Sequence, residues 1–284
     1  MTICYIGSGG YSFTSRSAWN FLQRESEWIK RNYPQLHKEL DDAIDFRGDL
    51  NDVEDDILSR AWFRRAWVLQ EVVVSQSVIL QSGLRWIHWT EFCKIMLLSP
   101  RVHDRYGLSL SKRDLYSYVR NQFVCRYMFQ EALGDHTKIP SWYKSIKSES
   151  EGNTSALDVL AYSRRLNSSD ERDKIYALLG VNPKLAFSGF AVDYTMDYKD
   201  VYLKFARFCI SSMGSFDILS HVDTYSALRY DSWVPNWMQL STVALGMLDD
   251  ARGLRPSFEK PLLVFYVVPF VFRLQQAECL RWYG

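Results

Sequence analysis

Residues 57–75 constrain this chain more than any other stretch. Ile57, Leu58, Trp62, Ala66, Leu69 and Val73 recur at three- and four-residue steps. On a helix these positions share one face, and a face of that size must be buried against something else. The reading is one strong helix over 57–75, with a core to receive it. Residues 77–89 then switch to strand character. Gly83 supplies a bend there, and Val78, Leu80, Trp86 and Trp89 are the candidate inward residues. Thr90 is placed to cap the next helix, 91–98, which Pro100 stops.

The remaining elements follow by the same logic. Residues 2–6 form a short apolar strand that runs into a Gly/Ser loop over 8–17. A strand needs a neighbour, and nothing before this one provides it. Residues 18–40 read as helical with a break at Pro34, and 41–56 as an acidic loop. The firmest later helix runs over 114–133, with Leu115, Tyr118, Val119, Gln122, Phe123, Arg126 and Tyr127 on helical steps. Residues 147–153 read as an exposed linker. Further helices are expected over 156–165, capped by Thr154 or Ser155, and over 171–179, capped by Ser169 or Asp170. Ile175, Leu178 and Leu179 form the buried stripe of the second, and Gly180 ends it. A third helix over 196–213, capped by Thr195, turns Val201, Tyr202, Phe205, Cys209 and Ile210 inward. Trp233, Pro235 and Trp237 then make a rigid turn with two large anchors. The fold class expected is α/β (α+β), dominated by helices with a small, incomplete sheet.

Composition removes several function classes. Net charge is +1, so no general basic field holds nucleic acid or an anionic membrane. Of the five cysteines, Cys4, Cys93, Cys125, Cys209 and Cys279, none forms a C-x-x-C pair. That spacing argues against a disulfide framework or a zinc site and fits a reducing cytosol. The longest apolar run, 261–272, is interrupted by Pro269 and falls short of the ~20 residues a membrane helix needs. A buried strand pair is the reading there. Residues 1–10 carry no basic region followed by an apolar stretch, so no secretory signal is visible. There is no P-loop, zinc spacing, H-E-x-x-H or G-x-S-x-G, and the glycine-rich Ser8-Gly9-Gly10 has no accompanying Lys.

Three segments together resemble the fungal heterokaryon-incompatibility (HET) domain. Trp62-Phe63-Arg64-Arg65-Ala66-Trp67-Val68-Leu69-Gln70-Glu71 is similar to the family's W-F-x-R-x-W-x-x-Q-E, with Gly83 and Trp89 following as its "G…W" stretch. Residues 170–180, with Arg172, Asp173, Tyr176 and Gly180, look like D-x-R-D-K-x-Y-A-L-L-G. Ser232-Trp233-Val234-Pro235-Asn236-Trp237 looks like S-W-V-P-D-W. The resemblance implies a cytoplasmic module of non-self recognition that promotes programmed cell death through protein partners, with room for self-association. It implies no cofactor, no nucleic-acid partner and no membrane span. It also implies an N-terminally truncated chain, because the family's leading L-S-Y-x-W-G and I-D-x-x-C-I-N-Q segments are missing. Residues 260–284 match nothing in the family. On this reading 1–100 is the end of a TIR-like core, 101–153 a helical insert and linker, and 154–284 a helical extension with an atypical tail. The missing strands would leave a sheet edge uncovered and the chain of low stability.

The resemblance also raises candidate chemistry. HET domains are regarded as remote relatives of TIR domains, whose W-C-x-x-E-L helix supplies a Glu for NAD cleavage in enzymatic members. Glu71, four residues after Trp67, would hold that role, with NAD as substrate. A partly desolvated carboxylate there would stabilise an oxocarbenium-like transition state. The plainer reading makes Glu71 a surface carboxylate or a partner of Arg64 or Arg65. Arg172, Asp173 and Lys174 could contact a partner or a phosphate, but first-turn charges more often serve the helix start and pair locally. Trp62, Phe63 and Trp67 could form a recognition surface, but core packing is expected. His88 and Cys93 suggest a hydrolase pair, but they lack an oxyanion motif and a third partner, and packing is again expected. Three functions stay open: a signalling module, a TIR-like NAD glycohydrolase, and an inert fragment.

Overall fold

The computed structural model describes residues 2–7, 12–32, 50–98, 110–146, 156–181, 189–213, 216–222 and 233–238. The expected break at Pro34, the linker 147–153, the caps at 154–155, the apolar run 261–272 and the tail 260–284 lie outside them. The chain divides into two compact units, Met1–Asp193 and Tyr194–Gly284.

In the first unit a three-stranded sheet is ordered β1 (Thr2–Tyr5), β2 (Val78–Ser82), β3 (Arg85–His88). The neighbour that β1 needs comes from later in the chain: β2 pairs with it in parallel, Thr2 opposite Val78 and Tyr5 opposite Gln81. β2 and β3 are antiparallel, joined through Gly83 at φ +59. A two-residue hairpin turn asks for a left-handed first residue, which glycine supplies without strain. Side chains alternate across the sheet. Cys4, Val78, Leu80 and Ile87 face the core, while Ile3, Tyr5 and Trp86 are more than half exposed. Trp86 is therefore not the inward residue of β3. Ile87 sits directly opposite Leu80, and the period of two turns its neighbour outward.

Helices form the rest. Helix α1 (Phe13–Asn32) starts earlier than the sequence suggests, where Ser12 Oγ accepts the Ser15 N–H at 3.1 Å, and it buries Ala18, Trp19, Leu22 and Ile29. The helix expected over 57–75 is broken into three pieces. A π-turn covers Val53–Leu58, a 3-10 turn Ala61–Arg64, and α2 only Ala66–Val74. Arg65 between them is extended, at φ −81 and ψ 135. The break has a partner elsewhere: Ala66 N–H donates to the Asn167 carbonyl at 2.9 Å, and Asn167 N–H donates to the Arg64 carbonyl at 2.5 Å. Those backbone groups leave the helical ladder to make a bridge with a segment about a hundred residues away. The apolar period survives the break, so Trp62 and Phe63 still enter the core.

Helix α3 (Trp89–Leu97) opens one residue before the expected cap, and Thr90 does not cap it. The Thr90 hydroxyl instead meets Tyr127 Oη at 3.0 Å. Helix α4 (Leu110–Ala132) crosses the middle of the unit, with Tyr116, Val119, Phe123 and Tyr127 buried and Phe123 stacked on Trp142 at 4.4 Å. Trp142 immediately precedes α5 (Tyr143–Ile146). Phe63 stacks on Phe92 at 5.8 Å, and Trp62 meets Trp89 edge-on at 6.3 Å, so the first motif is tied into the core by its rings. Helices α6 (Ala156–Ser163) and α7 (Asp173–Leu179) complete the described unit, and α7 packs against α2.

The second unit contains α8 (Tyr198–Met213), a 3-10 turn at Asp217–His221 and the turn around Pro235. Asp197 caps α8, its carboxylate accepting the Lys199 N–H at 2.9 Å, so the helix starts after the expected Thr195 cap. Val201, Tyr202, Phe205 and Cys209 are fully buried, while Ile210 is half-buried. The molecule is thus a helix-dominated α/β chain with a small mixed sheet.

Candidate functional site

The site is the seam where α2 meets α7, because two of the motif segments come together there. Trp67 Nε1 donates to Asp173 Oδ2 at 2.9 Å across 106 positions of sequence. Asp173 is 7% exposed and Trp67 37%. The indole is therefore pinned at its polar edge while part of its ring stays in solvent. Gln70, one turn along α2, lies against Gly180. A Cβ built on Gly180 would overlap the Gln70 side-chain amide nitrogen and stand 3.0 Å from its Cδ. Gly180 is an ordinary right-handed residue, at φ −78 and ψ −10, so no left-handed helix stop calls for glycine here; a side chain at this position would make the Gln70 amide move aside.

The charged run before Gly180 is not a set of first-turn charges in solvent. Arg172 does pair locally, its guanidinium donating to both oxygens of Asp170 at 2.9 and 2.7 Å; that bond holds the Asp170 carboxyl below its ordinary range. Asp173 and Lys174, however, are both buried. Lys174 Nζ donates to the carbonyls of Ser163 at 3.4 Å, Arg164 at 3.2 Å and also Leu166. It thereby gathers carbonyls at and just beyond the end of α6, where the helical ladder runs out. Burial pushes the Lys174 ammonium down to about 8. Tyr176 adds a fourth tie: its hydroxyl donates to the Asp193 carbonyl at 2.9 Å and accepts the Asp193 N–H at 3.1 Å. The 170–180 motif is a hub in which Asp173, Lys174 and Tyr176 each reach a different segment.

A residue that motif reading passed over holds the other end of α2. Arg126, 6% exposed on α4, donates through Nη1 to the carbonyls of Val72 and Ser75 (2.7 Å to the latter) and through Nη2 to that of Gln76 at 3.0 Å. A helix C-terminus leaves its last carbonyls unpaired, and a buried guanidinium satisfies several at once. The available signal was its position on the apolar face of α4, where a cation needs a reason to be. Glu54, fully buried on the π-turn, was hidden by the acidic-loop reading; it accepts from Tyr116 Oη at 2.7 Å and Lys112 Nζ at 2.6 Å.

Glu71 lies on the outer side of α2, exposed to solvent. The desolvation that an oxocarbenium-stabilising carboxylate calls for is not provided there. Among the described residues it has no ion pair with Arg64 or Arg65. Arg65 is exposed as well, whereas Trp62 and Phe63 are buried, as core packing requires. Trp62 and Trp67 do not lie on one continuous helix, because Arg65 interrupts it. His88 sits edge-on to Trp86 at 5.4 Å, and Cys93 is fully buried, its thiol pushed well above the usual range by burial. A thiol in that state is no nucleophile. Gly83 and Trp89 serve the hairpin and the core. In the second unit Trp233 and Trp237 are buried on either side of Pro235, with the His221 ring 5.8 Å from Trp237. No helix is long and apolar enough to cross a membrane, and no cluster of metal-ligating side chains occurs among the described residues.

No protein-family model, curated protein or solved structure matches the chain.

Proposed function

We propose that this chain is a HET-type signalling module, acting in the cytoplasm through protein contacts to promote cell death in fungal non-self recognition. The observation that carries the reading is the seam: the two segments that resemble the family's motifs, 62–71 and 170–180, pack together through Trp67–Asp173 and Gln70–Gly180. Residue types that look like a family pattern are here residues with a mutual structural reason. The parallel β1–β2 pair, with helices in its crossover, supports a TIR-like origin for the core. Expression of the full chain in a filamentous fungus tests the reading. Growth arrest is expected, and should be lost with Asp173→Ala. Normal growth at confirmed protein levels overturns the proposal.

The glycohydrolase alternative gains no support from the site. With Glu71 exposed, NAD consumption by the full chain is expected to be unchanged in Glu71→Ala. A selective loss of NAD cleavage in that variant would reverse this judgement.

A further inference from the structure

The two most exposed large hydrophobic side chains among the described residues lie at one end of the sheet. Leu84, at the tip of the β2–β3 hairpin, is 97% exposed, and Phe13, the first residue of α1, is 85% exposed. Arg85 ties the two places together: its Nη1 donates to the carbonyls of Ser15 at 3.4 Å and Arg16 at 3.2 Å, within the first turn of α1. Tyr5 and Trp86, both more than half exposed, stand in one row on the outer face of the sheet at this end, each opposite Gln81. A single exposed leucine is ordinary, but four large apolar side chains at one end of a sheet mark a contact. The fold does not ask for them. A turn tip commonly carries Gly, Asn, Asp or Ser, and neither Leu84 nor Phe13 packs into the core. Cations border the patch. Arg60 donates to the Ile6 carbonyl at 3.1 Å and to Ser82 Oγ at 2.8 Å, and Asp56 neutralises it at 2.9 Å. Arg16 and Arg85 have no carboxylate partner among the described residues. The net charge of +1 therefore conceals an uneven distribution, with unneutralised guanidiniums beside the apolar tips.

We propose that this end of the sheet docks on an anionic lipid surface, with Leu84 and Phe13 entering the acyl boundary and Tyr5 and Trp86 at the level of the headgroups. Shape, residue type and charge select that occupant. Leu84 and Phe13 project from the surface. A protein partner would need a matched recess for each, whereas a bilayer accepts any protruding apolar chain. Tyrosine and tryptophan are favoured where one side is apolar and the other wet, as at a membrane boundary. The charge has the complementary sign: a cation near a negative leaflet strengthens association about fivefold, and both Arg16 and Arg85 lack a competing carboxylate. The contact is peripheral, since no helix among the described residues is long and apolar enough to cross a bilayer. None of these side chains belongs to the α2–α7 seam, so docking does not require the signalling role proposed there.

Co-sedimentation of the full chain with vesicles tests it, comparing phosphatidylcholine alone with phosphatidylcholine mixed with phosphatidylserine. Binding to the mixed vesicles is expected, weakening as salt is raised. Leu84→Ser and Phe13→Ser should each lower it about tenfold or more. Circular dichroism should stay unchanged in both, because these side chains lie in solvent. Arg16→Glu should lower binding to the mixed vesicles and leave any binding to phosphatidylcholine alone as it was. A chain that stays in the supernatant with both vesicles overturns the proposal. So does equal binding to the two compositions, or binding indifferent to Leu84→Ser and Phe13→Ser. Sedimentation velocity identifies the competing occupant: a chain that ignores vesicles but self-associates, and loses that association in Leu84→Ser, uses the tip for a protein contact, which rejects the lipid.

Discussion

The bond between Trp67 and Asp173 is the sharpest test of the fold, because it joins segments 106 positions apart. Trp67→Phe removes the donor and keeps a ring. Asp173→Ala removes the acceptor. A hydrogen bond to a charged group contributes roughly 1.5–3 kcal/mol. Trp67 is 37% exposed, so water competes for the indole N–H and screens the carboxylate, which places the expected coupling near the lower end, about 1.5 kcal/mol. Each single change costs more than the coupling alone. W67F leaves a 7% exposed carboxylate short of a donor, and D173A leaves a void between α2 and α7. The double variant separates the pair term from these additional costs. The assay is urea denaturation followed by far-ultraviolet circular dichroism, which does not depend on the fluorescence of the tryptophan being removed. A coupling below about 0.3 kcal/mol, the ordinary error of additivity, would refute the claim that the two segments act as one unit.

Gly180→Ala should destabilise by about 1 kcal/mol or somewhat more, because the new methyl meets the Gln70 side chain; in a Gln70→Ala background the same change should become neutral or stabilising, since the backbone there already suits alanine. Arg126→Met should cost about 1–3 kcal/mol for each buried carbonyl of α2 and the turn after it that it strands, with Arg126→Lys recovering only part; a midpoint shift within error would show that the guanidinium is not needed. Lys174 supplies a pH signature. The folded chain releases this proton near 8 and the unfolded chain near about 10.4, so between those values the unfolded state binds the extra proton and the contribution of this group to stability rises with pH. Urea midpoints at pH 7.5 and 10 should therefore show a relative gain for the wild type over Lys174→Met, and a constant difference between the two would contradict the buried ammonium.

Periodicity made the amphipathic segments readable. The inward faces of α4 and α8 follow from three- and four-residue spacing, and the hairpin follows from Gly83 between two β-rich runs. Three expectations failed where tertiary or strand partners took over: two through residues distant in sequence, and one through the register of the hairpin. The helix over 57–75 breaks at Arg65 because Asn167 takes up its neighbours' backbone groups. Trp86 turns outward because the register of β3 is set by Leu80 opposite Ile87. Thr90 leaves its capping role because Tyr127 is within reach. The site divides in the same way. Trp67, Gln70, Asp173 and Gly180 could be singled out one at a time, but their pairing could not, and Arg126 carried no motif at all.

Sequence alone determined which residues seek burial, since hydrophobic spacing is local and the water-avoiding face of a helix or strand is written in its own repeat. It also determined where the chain must turn. Which element meets which was decided only in three dimensions, where Lys174 finds carbonyls to hold, Gly180 lets Gln70 come close, and β1 waits for β2. The physical reason is that directional bonds and steric fit exist between surfaces, and surfaces distant in sequence have no relation until the chain has folded.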